Sequence, residues 1–144
     1  MLLKEIYKPI QKDLVEVEQA LQANLENTSN KLVLEIGKYL LTAHGKRLRP
    51  ALLILAARAT QQQSPMAQKD AITLAAAVEL VHMASLVHDD VIDHASVRYH
   101  QPTIHLRYDQ EISIVLGDYL YAVGFELIAS CRNPDVVSCL SHAT

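Results

Sequence analysis

Acidic residues form the densest group of chemically active side chains in the sequence, at His88-Asp89-Asp90-Val91-Ile92-Asp93. On a helix, residues four apart lie about 40° from each other around the axis, so Asp89 and Asp93 project side by side. Asp90 lies about 100° round from Asp89 and can act as an auxiliary carboxylate. Oxygen ligands from so few residues suit Mg²⁺, which keeps several waters and takes the rest of its shell from substrate phosphate. Because the helix upstream has an apolar face, we favour this metal site over a solvated acidic helix end.

A basic group lies earlier in the chain, where Gly45-Lys46-Arg47-Leu48-Arg49-Pro50 places three cations before a proline that can open a helix. Backbone amides at a helix start, together with lysine and arginine side chains, bind anions such as phosphate. Taken alone, this segment would more simply be a charged loop between helices. Arg98 follows the acidic cluster by five residues and is a second candidate for holding a phosphate that the metal also binds.

Long helices must position these groups, because apolar residues recur at helical spacing along most of the chain. A capping residue followed by proline marks a helix start at Ser64-Pro65 and again at Asn133-Pro134. No segment has the spacing of a strand, so the sequence predicts an all-α fold. The predicted helices run from Leu3 to Leu25, from Leu32 to Leu40, from Pro50 to about Gln62, from Pro65 to about His94, from Gln110 to about Cys131, and from Pro134 onward.

Three positions carry further structural expectations. The helix that begins at Pro50 is apolar nearly all round, which predicts that it is buried. Gly45 stands where a cap for the preceding helix would lie. Gly117 lies inside the fifth helix, where glycine costs about 1 kcal/mol relative to alanine, so it indicates close helix packing. Asp118 beside it would then cap a neighbour or face a cavity.

Composition limits the class of protein. The chain has 144 residues, a formal net charge of −3, 4 glycines and 5 prolines, so residues 1–144 are expected to form one soluble helical domain. No polybasic run is present, which disfavours nucleic acid as a partner. Cys131 and Cys139 are the only cysteines, so no disulfide scaffold is expected and the cytoplasm is the predicted compartment. The most apolar stretch, Leu74 to Ile92, contains acidic residues and histidines, so no transmembrane segment is predicted.

In order and spacing, the motifs resemble the front part of the trans-isoprenyl (polyprenyl) diphosphate synthases. The resemblance implies an isoprenoid synthase-type helical bundle with a deep cavity between its helices. It also implies a prenyltransferase that condenses isopentenyl diphosphate head-to-tail with an allylic diphosphate. The matching segments are Gly45-Lys46-Arg47-Leu48-Arg49-Pro50, Glu79-Leu80-Val81-His82, Ser85-Leu86-Val87-His88-Asp89-Asp90-Val91-Ile92-Asp93, Arg98, Pro102-Thr103 and Gly117-Asp118-Tyr119-Leu120.

The resemblance implies a role for each matching charged residue. Two catalytic aspartates are expected to bind Mg²⁺ with a third in support, and three basic residues are expected to hold isopentenyl diphosphate. Arg98 matches an arginine that holds the allylic diphosphate. The implied metal ligands are Asp89 and Asp93, supported by Asp90, and the implied contacts to isopentenyl diphosphate are Lys46, Arg49 and His82.

The resemblance also bears on product length. Ala84 and Ser85 are the fifth and fourth residues before Asp89, about one helical turn from the predicted metal site. In enzymes that resemble this one, an aromatic residue at these positions blocks the growing prenyl chain. Small residues leave the cavity open, so we expect a product longer than farnesyl.

This sequence departs from the family pattern in two respects. Tyr99 and His100 follow Arg98 where the family usually has a second arginine and a glycine, so weaker binding of isopentenyl diphosphate is expected. A second aspartate-rich motif is absent from the chain, and the helix that begins at Pro134 has no closing cap. We therefore expect the front portion of a larger bundle, inactive alone and active as part of a homodimer or heteromer. Apolar faces on the first and fifth helices predict self-association.

Three alternatives use the same residues differently. His88-Asp89 could belong to a metal-dependent phosphohydrolase built on a His-Asp pair, but that function leaves the basic segment and Gly117-Asp118 unexplained. A non-catalytic or small subunit of a heteromeric prenyl diphosphate synthase would have no use for three intact aspartates. A zinc site is disfavoured because the four histidines spaced six apart do not share a helix face; they are His82, His88, His94 and His100.

Overall fold

The protein consists of α-helices with one short hairpin over residues 3–42, 45–60 and 65–144, which the computed structural model describes. The predicted all-α class is confirmed, and the hairpin is its one exception in that part of the chain. The predicted cap at Ser64 and the predicted helix end near Gln62 lie outside the described residues. The elements are α1 (Leu3–Tyr7), a 3₁₀ turn (Lys8–Ile10), α2 (Gln11–Glu26), α3 (Lys31–Thr42), α4 (Leu48–Ala59), α5 (Pro65–Ile92), β1 (Val97–Arg98), β2 (Gln101–Pro102), α6 (Ile104–Arg107), α7 (Gln110–Ser130) and α8 (Pro134–Ala143).

The first predicted helix is broken near its beginning. Pro9 lacks a backbone N–H, and a proline at this position interrupts the hydrogen bonds of an α-helix. The chain therefore forms α1, the 3₁₀ turn and α2 in succession. The predicted amphipathic face is still present, because Val17, Leu21 and Leu25 of α2 are buried at intervals of four residues.

Helix α5 is the centre of the bundle and contacts α2, α4 and α7. A run of small residues, Ala75 to Ala77, is completely buried and lets neighbouring helices approach closely. Gly124 of α7 extends this close packing, because a Cβ atom there would lie 3.0 Å from Cγ2 of Val81 and 3.3 Å from the carbonyl oxygen of Ala77. The α5–α7 pair is thus a tightly packed frame, and the acidic cluster lies at the carboxyl end of α5.

Helix α4 differs from its prediction in two ways. It begins at Leu48, two residues before Pro50, and it is not buried all round. Pro50, Ala51 and Ile54 are buried, whereas Leu52 is 64% exposed. The contacts with α2 and α5 cover only part of the surface of α4. Fewer of its apolar residues are therefore buried than its sequence predicts. Gly45 also lacks the positive φ of a glycine helix cap.

Side-chain caps set the starts of the last two long helices. The carboxylate of Asp109 accepts a hydrogen bond from the amide of Ile112 at 2.6 Å, and α7 begins at Gln110 as predicted. The side chain of Asn133 accepts from the amide of Asp135 at 3.0 Å, and α8 begins at Pro134 as predicted.

Helices α5 and α7 are long and apolar enough to cross a membrane, judged by length and composition. Half of the apolar window in α5 is buried inside the protein, and the two helices pack against each other. Helix α5 also buries the carboxylates of Glu79 and Asp90. Core helices of a helical bundle reach the same length and hydropathy as membrane-spanning helices. The burial of α5 and its packing against α7 are those of a core helix.

Candidate diphosphate and metal site

The carboxyl end of α5 presents two exposed carboxylates on one side. Asp89 lies in the last turn and Asp93 just beyond it, and the amide of Asp93 donates to the carbonyl of Asp89 at 2.8 Å. Helical geometry therefore continues through both residues and keeps them one turn apart, as predicted. Among the described residues no group of three or more histidine, cysteine or acidic side chains is placed to hold a metal ion. Two exposed oxygen ligands do fit Mg²⁺, which is commonly bound through one or two carboxylates, waters and substrate phosphate.

Asp90 is buried, and its partner is Arg98. Both Nε and Nη2 of Arg98 lie 2.8 Å from Oδ1 of Asp90, which is 4% exposed. This charge-assisted pair fixes the guanidinium of β1 against the end of α5. Asp90 therefore contributes to the site from the protein interior, by holding Arg98, whereas Asp89 and Asp93 face solvent. The pair engages two of the three guanidinium nitrogens, and no acceptor in the described part of the chain is bound to Nη1.

The hairpin that carries Arg98 has a strained tip. In β1 and β2, Val97 pairs with Pro102 and Arg98 with Gln101, which leaves a two-residue turn. Both turn residues, Tyr99 and His100, have left-handed backbone, with φ of 51° and 65°. Such turns favour asparagine and glycine, because larger residues pay a steric cost at positive φ. Tyr99 and His100, which stand where the family pattern has arginine and glycine, therefore form a turn of unusual geometry.

Hydrogen bonds from α3 and from the residues that flank the hairpin hold it in place. The hydroxyl of Tyr39 on α3 donates to the carbonyl of Pro102 at 2.7 Å, and the hydroxyl of Thr103 donates to the carbonyl of Ala95 at 2.8 Å. At its tip the Tyr99 hydroxyl approaches the basic segment, since it lies 3.8 Å from the position that a Cβ atom on Gly45 would occupy. The structure thus brings the hairpin and the basic segment to one place.

The three cations of the basic segment have different environments. Lys46 and Arg49 are exposed, whereas the side chain of Arg47 is 11% exposed and points inward. Its guanidinium donates to Glu79 on α5 at 2.9 Å and also forms an ion pair with Glu18 on α2. The two predicted phosphate contacts therefore flank a residue that is bonded to the core.

His82 lies where the acidic and basic groups meet. It is half-buried on α5, and burial lowers its pKa below the ordinary value. The positive charges of Arg49 and Arg98 lower the pKa further, while the carboxylates of Glu79 and Asp89 act in the opposite direction. The charges of Arg49 and Arg98, one predicted contact for each diphosphate, therefore both act on this imidazole.

The two predicted chain-length residues differ in burial. Ala84 is completely buried in the hydrophobic core, so it does not line an open space within this chain. Ser85 is half-buried, and its hydroxyl donates to the carbonyl of His82 at 2.8 Å. Of the two, Ser85 is therefore the residue with accessible surface.

His88 connects α5 to α7. Its Nε2 lies 3.1 Å from the carbonyl oxygen of Ile114 and 3.6 Å from Oδ1 of Asp118. A Cβ atom on Gly117 would lie 2.1 Å from that Nε2, so the imidazole occupies the space that any other residue would fill. The close packing predicted for Gly117 is present, and Asp118 is 72% exposed at its edge.

Comparison with known proteins identifies the family. Residues 30–144 match the sequence profile of the polyprenyl synthetase family. The chain belongs to this family. It is 40% identical over 134 residues to heptaprenyl diphosphate synthase component 2 of Geobacillus stearothermophilus, and 36% identical over 136 residues to a prenyl transferase of Porphyra purpurea. These matches cover 93% and 94% of this chain but 40% and 42% of the relatives.

Solved structures of polyprenyl synthetases share the fold. A decaprenyl diphosphate synthase from Rhodobacter capsulatus matches with a TM-score of 0.90 at 32% identity, over 99% of this chain and 42% of that one. A polyprenyl synthase from Caulobacter crescentus, complexed with calcium and isoprenyl diphosphate, also matches with a TM-score of 0.90, at 29% identity and the same coverage. The predicted isoprenoid synthase-type bundle is confirmed, and the chain spans about 40% of the length of its relatives.

Family membership and geometry together weaken the phosphohydrolase alternative. A polyprenyl synthetase accounts for the basic segment and for Gly117-Asp118, which the alternative left unexplained. His88 is directed at the α7 backbone and not toward a shared metal with Asp89. Its place next to an aspartate in sequence therefore reflects helix packing.

The sequence-based prediction missed the partners of Arg47, which are Glu18 and Glu79. It treated Glu79 as part of a motif and as an argument against a membrane span. A glutamate in a stretch that is otherwise almost entirely apolar is itself a signal, because a buried carboxylate requires a cation or several hydrogen-bond donors. That signal predicts a buried cation without saying which one.

Proposed function

We propose that the protein is part of a trans-prenyltransferase that condenses isopentenyl diphosphate with an allylic diphosphate. The observation that carries this proposal is that Arg98 is paired with Asp90 beside Asp89, and that the charges of Arg49, Arg98 and Asp89 all act on the pKa of His82. A site for two diphosphates and a divalent cation needs carboxylates and guanidiniums together in this way. The names of the family relatives support the same reaction class.

We propose Mg²⁺ as the metal, with Asp89 and Asp93 as its protein ligands. When bound, the ion supplies charge neutralisation of a leaving diphosphate. Calcium in the Caulobacter crescentus polyprenyl synthase supports a hard, oxygen-preferring cation in this family. Asp90 keeps its role as a supporting residue, since its carboxylate orients Arg98.

The remaining charged residues bind and orient the two substrates. Arg98 would hold the allylic diphosphate through Nη1, while Lys46, Arg49 and His82 would hold isopentenyl diphosphate. The allylic C1–O bond breaks and diphosphate leaves with the bonding electrons. The double bond of isopentenyl diphosphate then forms the new C–C bond at C1, and the adduct loses a proton to the released diphosphate. The contribution of the protein is electrostatic stabilisation where charge develops.

Tyr99 is proposed to weaken the binding of isopentenyl diphosphate. It offers a neutral hydroxyl near Gly45 where the family pattern has a second guanidinium. In a complete synthase that contains this chain, we expect Tyr99→Arg to lower the Michaelis constant for isopentenyl diphosphate, with Tyr99→Phe as the control that adds no charge. An unchanged Michaelis constant in Tyr99→Arg would contradict this role for Tyr99.

A product longer than farnesyl and an assembly of more than one chain are also part of the proposal. Several relatives make heptaprenyl, octaprenyl or decaprenyl products by name, which supports long products. The word "component" in the name of the Geobacillus stearothermophilus relative favours a heteromer, so a subunit of a two-chain synthase is the second candidate. Cys131 and Cys139 are free thiols, in keeping with a cytoplasmic location.

A transfer assay tests this function. Labelled isopentenyl diphosphate and geranyl diphosphate are supplied with Mg²⁺ to the chain alone and to a chimera in which it replaces the matching segment of the Rhodobacter capsulatus synthase. We expect turnover by the chimera, none by the chain alone, and loss of turnover in the Asp89→Asn chimera. Glu126→Gln, an exposed carboxylate on α7, is the matched control. A folded but inactive chimera would contradict the proposal.

A further inference from the structure

We propose that Arg47 is a positioning residue that fixes where Lys46 and Arg49 present their charges to isopentenyl diphosphate. This inference rests on the proposed function and adds a residue that does not touch the substrate. Arg47 lies between the two exposed cations, and its own guanidinium is bonded to carboxylates of the core.

The guanidinium of Arg47 bridges two helices that are distant in sequence. Nη1 lies 2.9 Å from Oε1 of Glu79 on α5, and Nη2 lies 3.2 Å from Oε2 of Glu18 on α2, with Nε also in contact with Glu18. The side chains of Arg47 and Glu79 are 11% and 7% exposed. A planar guanidinium can donate to two carboxylates on different sides, whereas a lysine ammonium is a single point charge.

The backbone at Arg47 is held in an unfavourable conformation. Its φ of 49° lies in the left-handed region, and it is the residue that immediately precedes the first turn of α4. Left-handed backbone costs about 1–2 kcal/mol for a residue other than glycine, and it persists only where the surroundings enforce it. The ion pairs with Glu18 and Glu79 are contacts that enforce this conformation, because they hold the side chain that the backbone directs inward.

The neighbouring residue is held from another direction. The hydroxyl of Tyr7 on α1 donates to the carbonyl oxygen of Lys46 at 2.8 Å. With Arg47 bonded to Glu18 and Glu79, the segment before α4 is fixed at two successive residues. Lys46 and Arg49 then project from a rigid support, and misplacement by about 1 Å is enough to lose much of a positioning effect.

The charge of Arg47 itself is not available to a substrate. Two carboxylates face one guanidinium, so the cluster of Arg47, Glu18 and Glu79 has a formal excess of one negative charge. Burial lowers the pKa of Arg47, but hydrogen bonds and charges from Glu18 and Glu79 outweigh burial and raise it overall. Arg47 therefore stays cationic and paired, and Lys46 and Arg49 remain the exposed cations of the segment.

The chain offers a matched control in Arg58. It lies about three turns further along α4 and pairs with Asp13, which is 2% exposed, through Nη2 to Oδ2 at 2.6 Å. Arg47→Met and Arg58→Met each remove a guanidinium from a buried carboxylate. Only the first borders the proposed isopentenyl diphosphate contacts, so a general loss of stability should affect both variants and a positioning effect only one.

Calorimetric titration of the 144-residue chain separates these cases. We expect Arg47→Met to weaken binding of isopentenyl diphosphate about tenfold, Arg47→Lys to fall between it and the wild type, and Arg58→Met to change binding less than about twofold. Binding of geranyl diphosphate with Mg²⁺ should change less than about twofold in all three. If Arg47→Met fails to fold, Glu79→Gln removes one of the two carboxylates at nearly constant volume and should weaken isopentenyl diphosphate binding in the same direction.

Three results would count against the inference, and they are distinguishable. Equal losses in Arg47→Met and Arg58→Met, or no loss in Arg47→Met, would overturn the positioning role and leave the proposed function intact. No binding of isopentenyl diphosphate by the wild-type chain would overturn the proposed function, and the role of Arg47 with it.

Discussion

His82 is the residue at which the charges of the proposed site converge. Burial lowers its pKa below the ordinary 6.5, Arg49 and Arg98 lower it further, and Glu79 and Asp89 compensate in part. The imidazole is therefore neutral at pH 7 and can donate one hydrogen bond to a diphosphate. A neutral imidazole avoids adding a third positive charge to those of Arg49 and Arg98 when no substrate is present.

Because a bound anion favours imidazolium, isopentenyl diphosphate should raise the pKa of His82. Arg49→Met should raise it in the free protein as well. NMR titration of the ring protons measures both effects, with exposed His142 on α8 as the internal control. If neither bound isopentenyl diphosphate nor Arg49→Met changes the pKa of His82, His82 is not part of the proposed site.

The lowered pKa of His82 also makes the stability of the fold depend on pH. Between the folded-state pKa and 6.5 the unfolded chain binds more protons at His82 than the folded chain does. The contribution of this residue to stability is therefore present above pH 6.5 and is lost as the pH falls through the folded-state pKa. His82→Gln should lose less unfolding free energy than the wild type between about pH 7 and pH 5. Urea denaturation at the two pH values measures this difference, and an equal or larger loss in the variant would refute it.

The left-handed backbone of His100 makes a separate prediction about stability. Glycine adopts a φ of 65° without steric cost, although it is more flexible in the unfolded chain. The net effect of His100→Gly should be an increase of about 0.5–1 kcal/mol in the free energy of unfolding. Ser96→Gly, in the same loop but without positive φ, should be destabilising. A loss of stability in His100→Gly, measured by chemical denaturation, would contradict this account of the turn.

At the level of elements, the α5–α7 contact depends on His88 and Gly117. The imidazole fits against α7 because Gly117 has no side chain, and its Nε2 lies 3.1 Å from the Ile114 carbonyl. Because Asp89 follows His88 directly, this contact also fixes the carboxyl end of α5, where the proposed metal ligands lie.

A double-mutant cycle tests this contact. Gly117→Ala would place a methyl group 2.1 Å from His88 Nε2 and should cost about 1–3 kcal/mol of unfolding free energy. In the His88→Ala background the same change should stabilise the protein by up to about 1 kcal/mol, because alanine is the better helix former. Gly124→Ala, which faces Val81, should cost the same in both backgrounds. Equal costs for Gly117→Ala with and without His88 would show that the two residues are not in contact.

The starts of α7 and α8 were predictable because their signals are local. Asp109 and Asn133 cap the amide groups two or three residues ahead, so α7 and α8 begin where the sequence indicates. The pair Asp89 and Asp93 was predictable for the same reason, since helical spacing alone relates them. The break at Pro9 involved a local signal that the longer apolar pattern obscured.

Contacts between distant segments were not predictable from one sequence. Arg47 and Glu79 are 32 residues apart, and nothing in either segment names the other as its partner. The turn at Tyr99 and His100 is formed by residues that rarely adopt positive φ, so its hairpin gives no turn signal. The exposure of Leu52 likewise depends on how many helices surround α4, which its own sequence does not determine.

For the whole molecule, the relation to longer relatives is central. The chain spans about 40% of their length, and large apolar side chains such as Val15 on α2 and Val115 on α7 are 52% and 67% exposed. Exposed apolar surface on the outer helices supports the prediction of self-association. A monomer in size-exclusion chromatography with light scattering would contradict it.

Product length is also a property of the complete cavity, and burial decides which residue can test it. Ser85→Phe should shorten the main product of the Rhodobacter capsulatus chimera by at least one isoprene unit, because Ser85 has accessible surface. Ala84→Phe should instead lower stability, since Ala84 is completely buried and has no room for a ring. Ser85→Ala is the control with unchanged volume. Chromatography of the products that shows equal lengths for Ser85→Phe and Ser85→Ala would place the floor of the cavity elsewhere.

Asp89 and Asp93 are proposed to bind a metal ion that holds an allylic diphosphate. Titration of geranyl diphosphate into the chain, with and without Mg²⁺, measures this binding. Binding should require Mg²⁺, should be lost in Asp89→Asn and Asp93→Asn, and should be retained in Glu126→Gln. Binding that is independent of Mg²⁺, or that survives both aspartate substitutions, would rule out the proposed metal ligands.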